Sequence, residues 1–210
     1  MIVCAATTGE LAAFPSETGG ITRVVSGVGV PATLATLIPL CEKSPPDSIL
    51  NIGIAGAYPD SGIRIGDIVY GTEDVYGDIG FELPHEPGFR SITDSDFGEF
   101  YTIYPLPLSS LPLSETSAES LTDLRVHFGR GCTVNSCTGT MATGLRRAQQ
   151  FHAIFETMEG AAVGQVGQSY LIPTGQIRAI SNIAGDRDMQ PENIRLAIGN
   201  LKRFLSVLFT

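Results

Sequence analysis

In the stretch ETMEGAAVGQV, residues 156–166, two carboxylates flank Met158 just before a run of alanines, valines and glycines. The small residues predict a helix packed closely on its neighbours, with acids at the edge of a buried element. An ionised carboxylate only accepts hydrogen bonds, which suits Glu159 to paired donation from hydroxyl groups. Met158 offers an adaptable apolar surface for a flat group. For Glu156 the plainer reading holds, a structural acid favoured by the helix dipole. A second cluster, SNIAGDRD at 181–188, gathers Ser181, Asn182, Asp186, Arg187 and Asp188. Three more polar or glycine-rich clusters follow apolar runs: TTGE (7–10), SGVG (26–29) and GIAGA (53–57). Ligands of open α/β sheets bind beyond strand ends, so five clusters at such places point to one site built from several loops.

Strands alternate with helices along the chain. Strands are predicted at 1–8, 21–29, 48–57, 63–77, 126–134, 153–158 and 174–185, with a turn at Thr7-Thr8-Gly9. Helices are predicted at 30–43, 140–151, 159–171 and 191–209. Pro39 lies inside the first of these and predicts a kink or an early end. The pattern is that of an α/β fold with a mixed central sheet flanked by helices, one domain over 1–210. Residues 73–124 differ. They hold eleven acidic residues, and Arg90 is the one Arg or Lys among them, so they read as an excursion over the main sheet.

Composition narrows the function. A net charge of −9 argues against nucleic acid or an anionic membrane as partner. No stretch reaches the roughly 20 apolar residues of a membrane span, and the N-terminus lacks the basic region of a signal peptide. Cys4, Cys41, Cys132 and Cys137 match no zinc spacing, and His85, His127 and His152 are far apart in sequence. No metal is expected, and the thiols read as reduced, in a cytoplasmic protein. GVGVPA, residues 27–32, lacks the full dinucleotide fingerprint, so no organic cofactor is expected.

The segments SGVGVPAT, NIGIAGAYPDSGIRIGDIV, ETMEGAAVGQV and RAISNIAGDRD, in that order, resemble the signature segments of the nucleoside phosphorylase and nucleosidase superfamily. Within it, the ISN…G-R-D ending is most similar to the futalosine-hydrolysing branch of menaquinone biosynthesis. The resemblance implies a nucleoside substrate, no cofactor, and a homo-oligomer in which a neighbour helps close the site. It implies Glu10 as the base that deprotonates water, Glu159 as the acceptor of ribose hydroxyls, and Met158 against the sugar or base. Adenine-cleaving relatives place an aspartate where this chain has Asn182. An amide donates to a 6-oxo group and accepts from a protonated N7, so Asn182 matches hypoxanthine better than adenine. Ser181, Asp186 and Arg187 are expected to order that loop or touch the base, with Asp186 a candidate proton donor. Arg90 is a candidate partner for the carboxylate of futalosine, and Cys137, Thr138 and Thr140 fall near the base. Phosphorylase relatives hold phosphate with an arginine and a serine where this chain has Asn51 and Ile54, so water is the expected nucleophile. The alternatives are a phosphorylase of 6-oxopurine nucleosides and a binding protein without catalysis.

Overall fold

The computed structural model describes residues 1–16, 18–85, 88–92, 103–106, 123–186 and 189–209. Eight strands form one mixed sheet: β1 (Ile2–Ala5), β2 (Thr22–Val25), β3 (Ile49–Ala57), β4 (Ile68–Tyr76), β7 (Ile103–Pro105), β8 (Val126–Thr133), β9 (Phe155–Thr157) and β10 (Thr174–Ile183). A separate hairpin joins β5 (Gly80–Glu82) to β6 (Phe89–Ser91). The helices are α1 (Thr8–Leu11), α2 (Val30–Lys43), α3 (Met141–Phe151), α4 (Gly160–Tyr170) and α5 (Pro191–Leu208).

The sheet closes on itself. β10 runs parallel to β3 and antiparallel to β4, and the path β4–β8–β9 returns to β3. β3 is therefore paired along one edge by β10 and along the other by β1 at its start and β9 at its end. Strands covered on both faces read as continuous apolar runs, as 49–57 does. Within them the period of two still sorts the faces. Ile2, Cys4 and Ile49 pack under α2 and α4 with Leu37, Cys41, Val163 and Val166. Val3, Leu50, Ile52 and Ile177 pack on the opposite side with Leu201, Phe204 and Leu205 of α5.

The predicted element order and fold class are the observed ones, with three corrections. The expected kink at Pro39 does not end α2, which continues to Lys43 and is capped at Ser44 by the Leu40 carbonyl. The turn expected at Thr7–Gly9 is instead the start of α1, held by a capping box between Thr7 and Glu10. The acidic excursion also starts later than residue 73, because β4 runs to Tyr76 in register with β8. Among the described residues, no helix is long and apolar enough to cross a membrane, and no cluster of His, Cys, Asp and Glu could hold a metal ion.

Candidate active site

A cleft of about 450 Å³ opens at the strand ends, lined by residues from each of the five clusters, with Val28 as the contribution of SGVG. Four acids reach it: Glu10, Glu156, Glu159 and Asp186. None of its described lining residues is Lys or Arg.

Glu10 is 7% exposed although it belongs to a helix of one turn. Its Oε2 accepts from the Thr7 amide at 3.0 Å and the Thr7 hydroxyl at 2.8 Å, and its Oε1 accepts from the Ile54 amide at 3.0 Å. The capping box thus fixes the carboxylate as well as the helix. Gly53 lies directly below. A Cβ there would come within 2.5 Å of both Glu10 Oε1 and Arg178 Nη1, so only glycine lets the two groups converge.

Glu159 occupies the N-cap position of α4 but does not cap it. The Thr157 hydroxyl accepts from the Gly160 amide at 3.2 Å and the Thr133 hydroxyl from the Ala161 amide at 2.8 Å, so the first turn is satisfied by others. Glu159 instead accepts from the Gly29 amide at 3.0 Å and faces Arg178 Nη2 at 3.5 Å. Met158, half-buried, lines the cleft beside it.

At the other end of the cleft, β10 shifts register against β3 between Ile180 and Asn182. Such a bulge re-aims a side chain. Here it turns Asn182 into the cleft, while the single hydrogen of the Ser181 hydroxyl is shared between the Ala55 carbonyl at 3.3 Å and Asn182 Oδ1 at 3.0 Å. One lone pair of the amide oxygen and one amide hydrogen stay available, since Nδ2 donates once, to the Ile183 carbonyl. Asp186 is exposed at the rim. Cys137 and Thr138 line the cleft as expected, whereas Thr140 caps α3 by accepting from the Thr143 amide. Arg90 is exposed on β6 and is not among the cleft-lining residues. Arg187 lies outside the described residues.

Glu156 is structural as expected, though as a loop anchor on β9 and not as a helix-start acid, while one functional group escaped the sequence reading. Glu156 is buried at the cleft wall, where it accepts from the Thr138 amide at 2.8 Å and the Thr138 hydroxyl, from Tyr58 at 3.2 Å and from Arg147 at 3.0 Å. It anchors the loop carrying Cys137 and Thr138. Burial raises the Tyr58 hydroxyl well above its usual range, which keeps it a donor to this carboxylate. The group that escaped is Arg178, whose side chain is 0% exposed. Its Nε donates to Gln176 Oε1 at 3.1 Å, and its Nη1 has no protein partner among the described residues. An orphan buried donor calls for an acceptor supplied from outside the chain, such as a water or a ligand oxygen. Burial, opposed by Arg178, pushes the nearby Cys4 thiol up to about 12, so it is not a nucleophile at neutral pH. The arrangement combines a fixed carboxylate with an orphan cationic donor, an acceptor carboxylate opposite, and an amide at the far end.

The chain matches the Phosphorylase superfamily over residues 4–209. A 5'-methylthioadenosine/S-adenosylhomocysteine nucleosidase of Anoxybacillus flavithermus is 32% identical over 76% of this chain and 66% of its own length. A futalosine hydrolase of Streptomyces coelicolor is 29% identical over 76% of this chain and 64% of its own. The chain thus spans slightly less than two thirds of the length of these relatives. A nucleosidase of Neisseria meningitidis, solved with methylthio-immucillin-A, superposes with a TM-score of 0.77 at 16% identity, covering 98% of this chain and 96% of that one. At that identity the likeness is one of fold.

Proposed function

Because the chain belongs to the phosphorylase superfamily, we propose that it hydrolyses the N-glycosidic bond of a purine nucleoside, with futalosine as substrate and hypoxanthine as the released base. The observation that supports hydrolysis is the convergence of Glu10 Oε1 and Arg178 Nη1 over Gly53, at the wall of a cleft whose described lining includes Glu10 and no Lys or Arg. A water taken up there accepts from Arg178 and donates to Glu10, which removes its proton as it attacks the sugar. A phosphate dianion in the cleft itself faces four acids, with Arg178 fully buried behind its wall. Asn51, at one position where phosphorylase relatives have phosphate ligands, is wholly buried, and Ile54, at the other, presents its amide to Glu10.

Glu159 accepts the ribose hydroxyls, with Arg178 and the Gly29 amide keeping it in place, and Met158 packs against the sugar. The bond breaks as positive charge grows on the sugar and negative charge on the base, so fixed acids near the sugar favour the transition state over the ground state. Asn182 meets the base edge. No cofactor takes part in this scheme. Val28 and Met189 line the cleft yet are 56% and 46% exposed, which supports a homo-oligomer in which a neighbour covers the mouth.

Chromatography of futalosine, inosine and 5'-methylthioadenosine incubated with and without phosphate tests the reading. Hypoxanthine from futalosine without phosphate is the expected result. Release that requires phosphate would mean a phosphorylase, and no cleavage of any of the three would mean a binding protein. The names of several relatives favour a second reading, an adenine nucleoside as substrate. Asn182 separates the two. The Asn182→Asp variant is expected to shift the kcat/KM ratio of methylthioadenosine over futalosine upward by at least about tenfold, the scale of one mismatched hydrogen bond. An unchanged ratio would remove Asn182 from base selection.

A further inference from the structure

Asp74 is a fully buried carboxylate that lines no part of the cleft. Every contact it makes comes from a donor. The Thr133 hydroxyl donates to Oδ1 at 2.8 Å and the Gln176 amide nitrogen to Oδ2 at 2.8 Å, and the Val75 amide adds a third. Oδ2 also sits where a Cβ on Gly160 would be, so the acid lies directly under the first turn of α4, behind Glu159. Gln176 is the link. Its NH2 faces Asp74 and its carbonyl oxygen faces Arg178 Nε, and Arg178 in turn reaches Glu159. One buried guanidinium thus stands among three acids, Glu10, Glu159 and, through an amide, Asp74.

We propose that Asp74 is a positioning residue for the reaction: through the Gln176 amide it draws Arg178 back from Glu159 and toward the Glu10 side of the cleft. The inference rests on the nucleosidase reading for its activity arm alone. Its geometric content is the unequal reach of Arg178, 3.1 Å to Gln176 and 3.5 Å to Glu159. The longer gap leaves the lone pairs of Glu159 to ribose hydroxyls. That orientation of Gln176 holds while Asp74 Oδ2 accepts. A proton there turns the acceptor into a donor, the amide must turn over, and its NH2 then meets Arg178 Nε–H. Arg178 is displaced toward Glu159 and closes on the oxygens the sugar needs.

The proton is within reach near neutral pH. Burial raises the Asp74 carboxyl to about 6, against the lowering effect of Gln176, Thr133 and Arg178. The other titratable groups facing it are Tyr76 on its own strand, Tyr104 opposite it on β7 and Cys132 on β8, all kept neutral by burial. α4 contributes Glu159 at its start, and β10 contributes Arg178. Since the folded value lies above the unfolded one, ionising Asp74 costs stability as pH rises from about 4 to 6. The chain keeps a carboxylate there at that expense.

The test compares wild type with Asp74→Asn, which keeps the shape and removes the charge, and Gln176→Met, which cuts the link and leaves the acid. Wild type should lose kcat/KM below an apparent pKa near 6. Both variants should lack that limb and fall by about tenfold at pH 7.5, the scale of one positioning hydrogen bond. Asp74→Asn should melt no lower than wild type at pH 7.5. Independently of activity, the Nε–H signal of Arg178 in ¹⁵N-arginine spectra, assigned with Arg178→Lys, should shift through the same pH range in wild type and stay fixed in Asp74→Asn. A limb and an Nε shift that persist in Asp74→Asn overturn the proposal. A wild type that cleaves no nucleoside while its Arg178 signal titrates only with Asp74 present leaves the relay standing and removes the proposed function.

Discussion

Glu10→Gln is expected to lower kcat by about 10²–10⁴-fold, the range of a positioned general base, while hypoxanthine binding stays within about threefold. Glutamine suits the comparison because it keeps the shape and its one carbonyl oxygen can complete the capping box with Thr7, while its NH2 then faces the Ile54 amide in place of an acceptor. The cap of α1 is therefore kept, and proton acceptance is lost together with one hydrogen bond to Ile54. Steady-state turnover with calorimetric binding of hypoxanthine reads both halves. Turnover close to wild type would show that the attacking water is activated elsewhere, and the convergence over Gly53 would lose its meaning.

Arg178→Met carries the largest expected loss of stability. Breaking a buried pair strands its partner, at about 3–5 kcal/mol, and here Glu159 and the Asp74–Gln176 link lose their cation together. For a chain of this size that is a fall in melting temperature of roughly 6–20 °C. Arg178→Lys separates the two roles. It keeps the charge but cannot span Gln176, Glu159 and the site over Gly53 with one rigid fork, so stability should recover in part while kcat stays low. Scanning calorimetry of both variants decides the matter. A methionine variant that melts with wild type would mean that the buried acids are neutral without the arginine.

The sequence carried the order of strands and helices because apolar runs and Gly/Pro punctuation are local signals. The acids Glu10 and Glu159 and the amide Asn182, which the resemblance to the superfamily's signature segments singled out, all line the cleft. α1 was hidden because a single turn has no periodicity, although T-T-G-E at 7–10 has capping-box spacing. Arg178 and Gln176 were missed because TGQIRAIS reads as one buried strand, where polar residues look like exceptions. Their spacing of two, on one face, was the available sign. Asp74 fell where the predicted strand 63–77 overlaps the acidic excursion, and its burial depends on β8 and α4, which no local pattern around residue 74 announces. Pro39 was over-read. The helix it interrupts is held by Leu37 and Cys41 in the core, which outweighs one missing amide.

The ring of pairings also sets an order of events during synthesis. β10 sits between β3 and β4, with Thr174 against Ile49 and Gln176 against Gly71, so the sheet stays open until residues 174–183 have been made. Pairings this distant in sequence form slowly, and until then β3 offers a bare edge to other chains. The same late strand brings Gln176, Arg178 and Asn182. A chain stopped before β10 therefore has its cleft acids without Arg178 and is expected to lack the proposed nucleosidase activity.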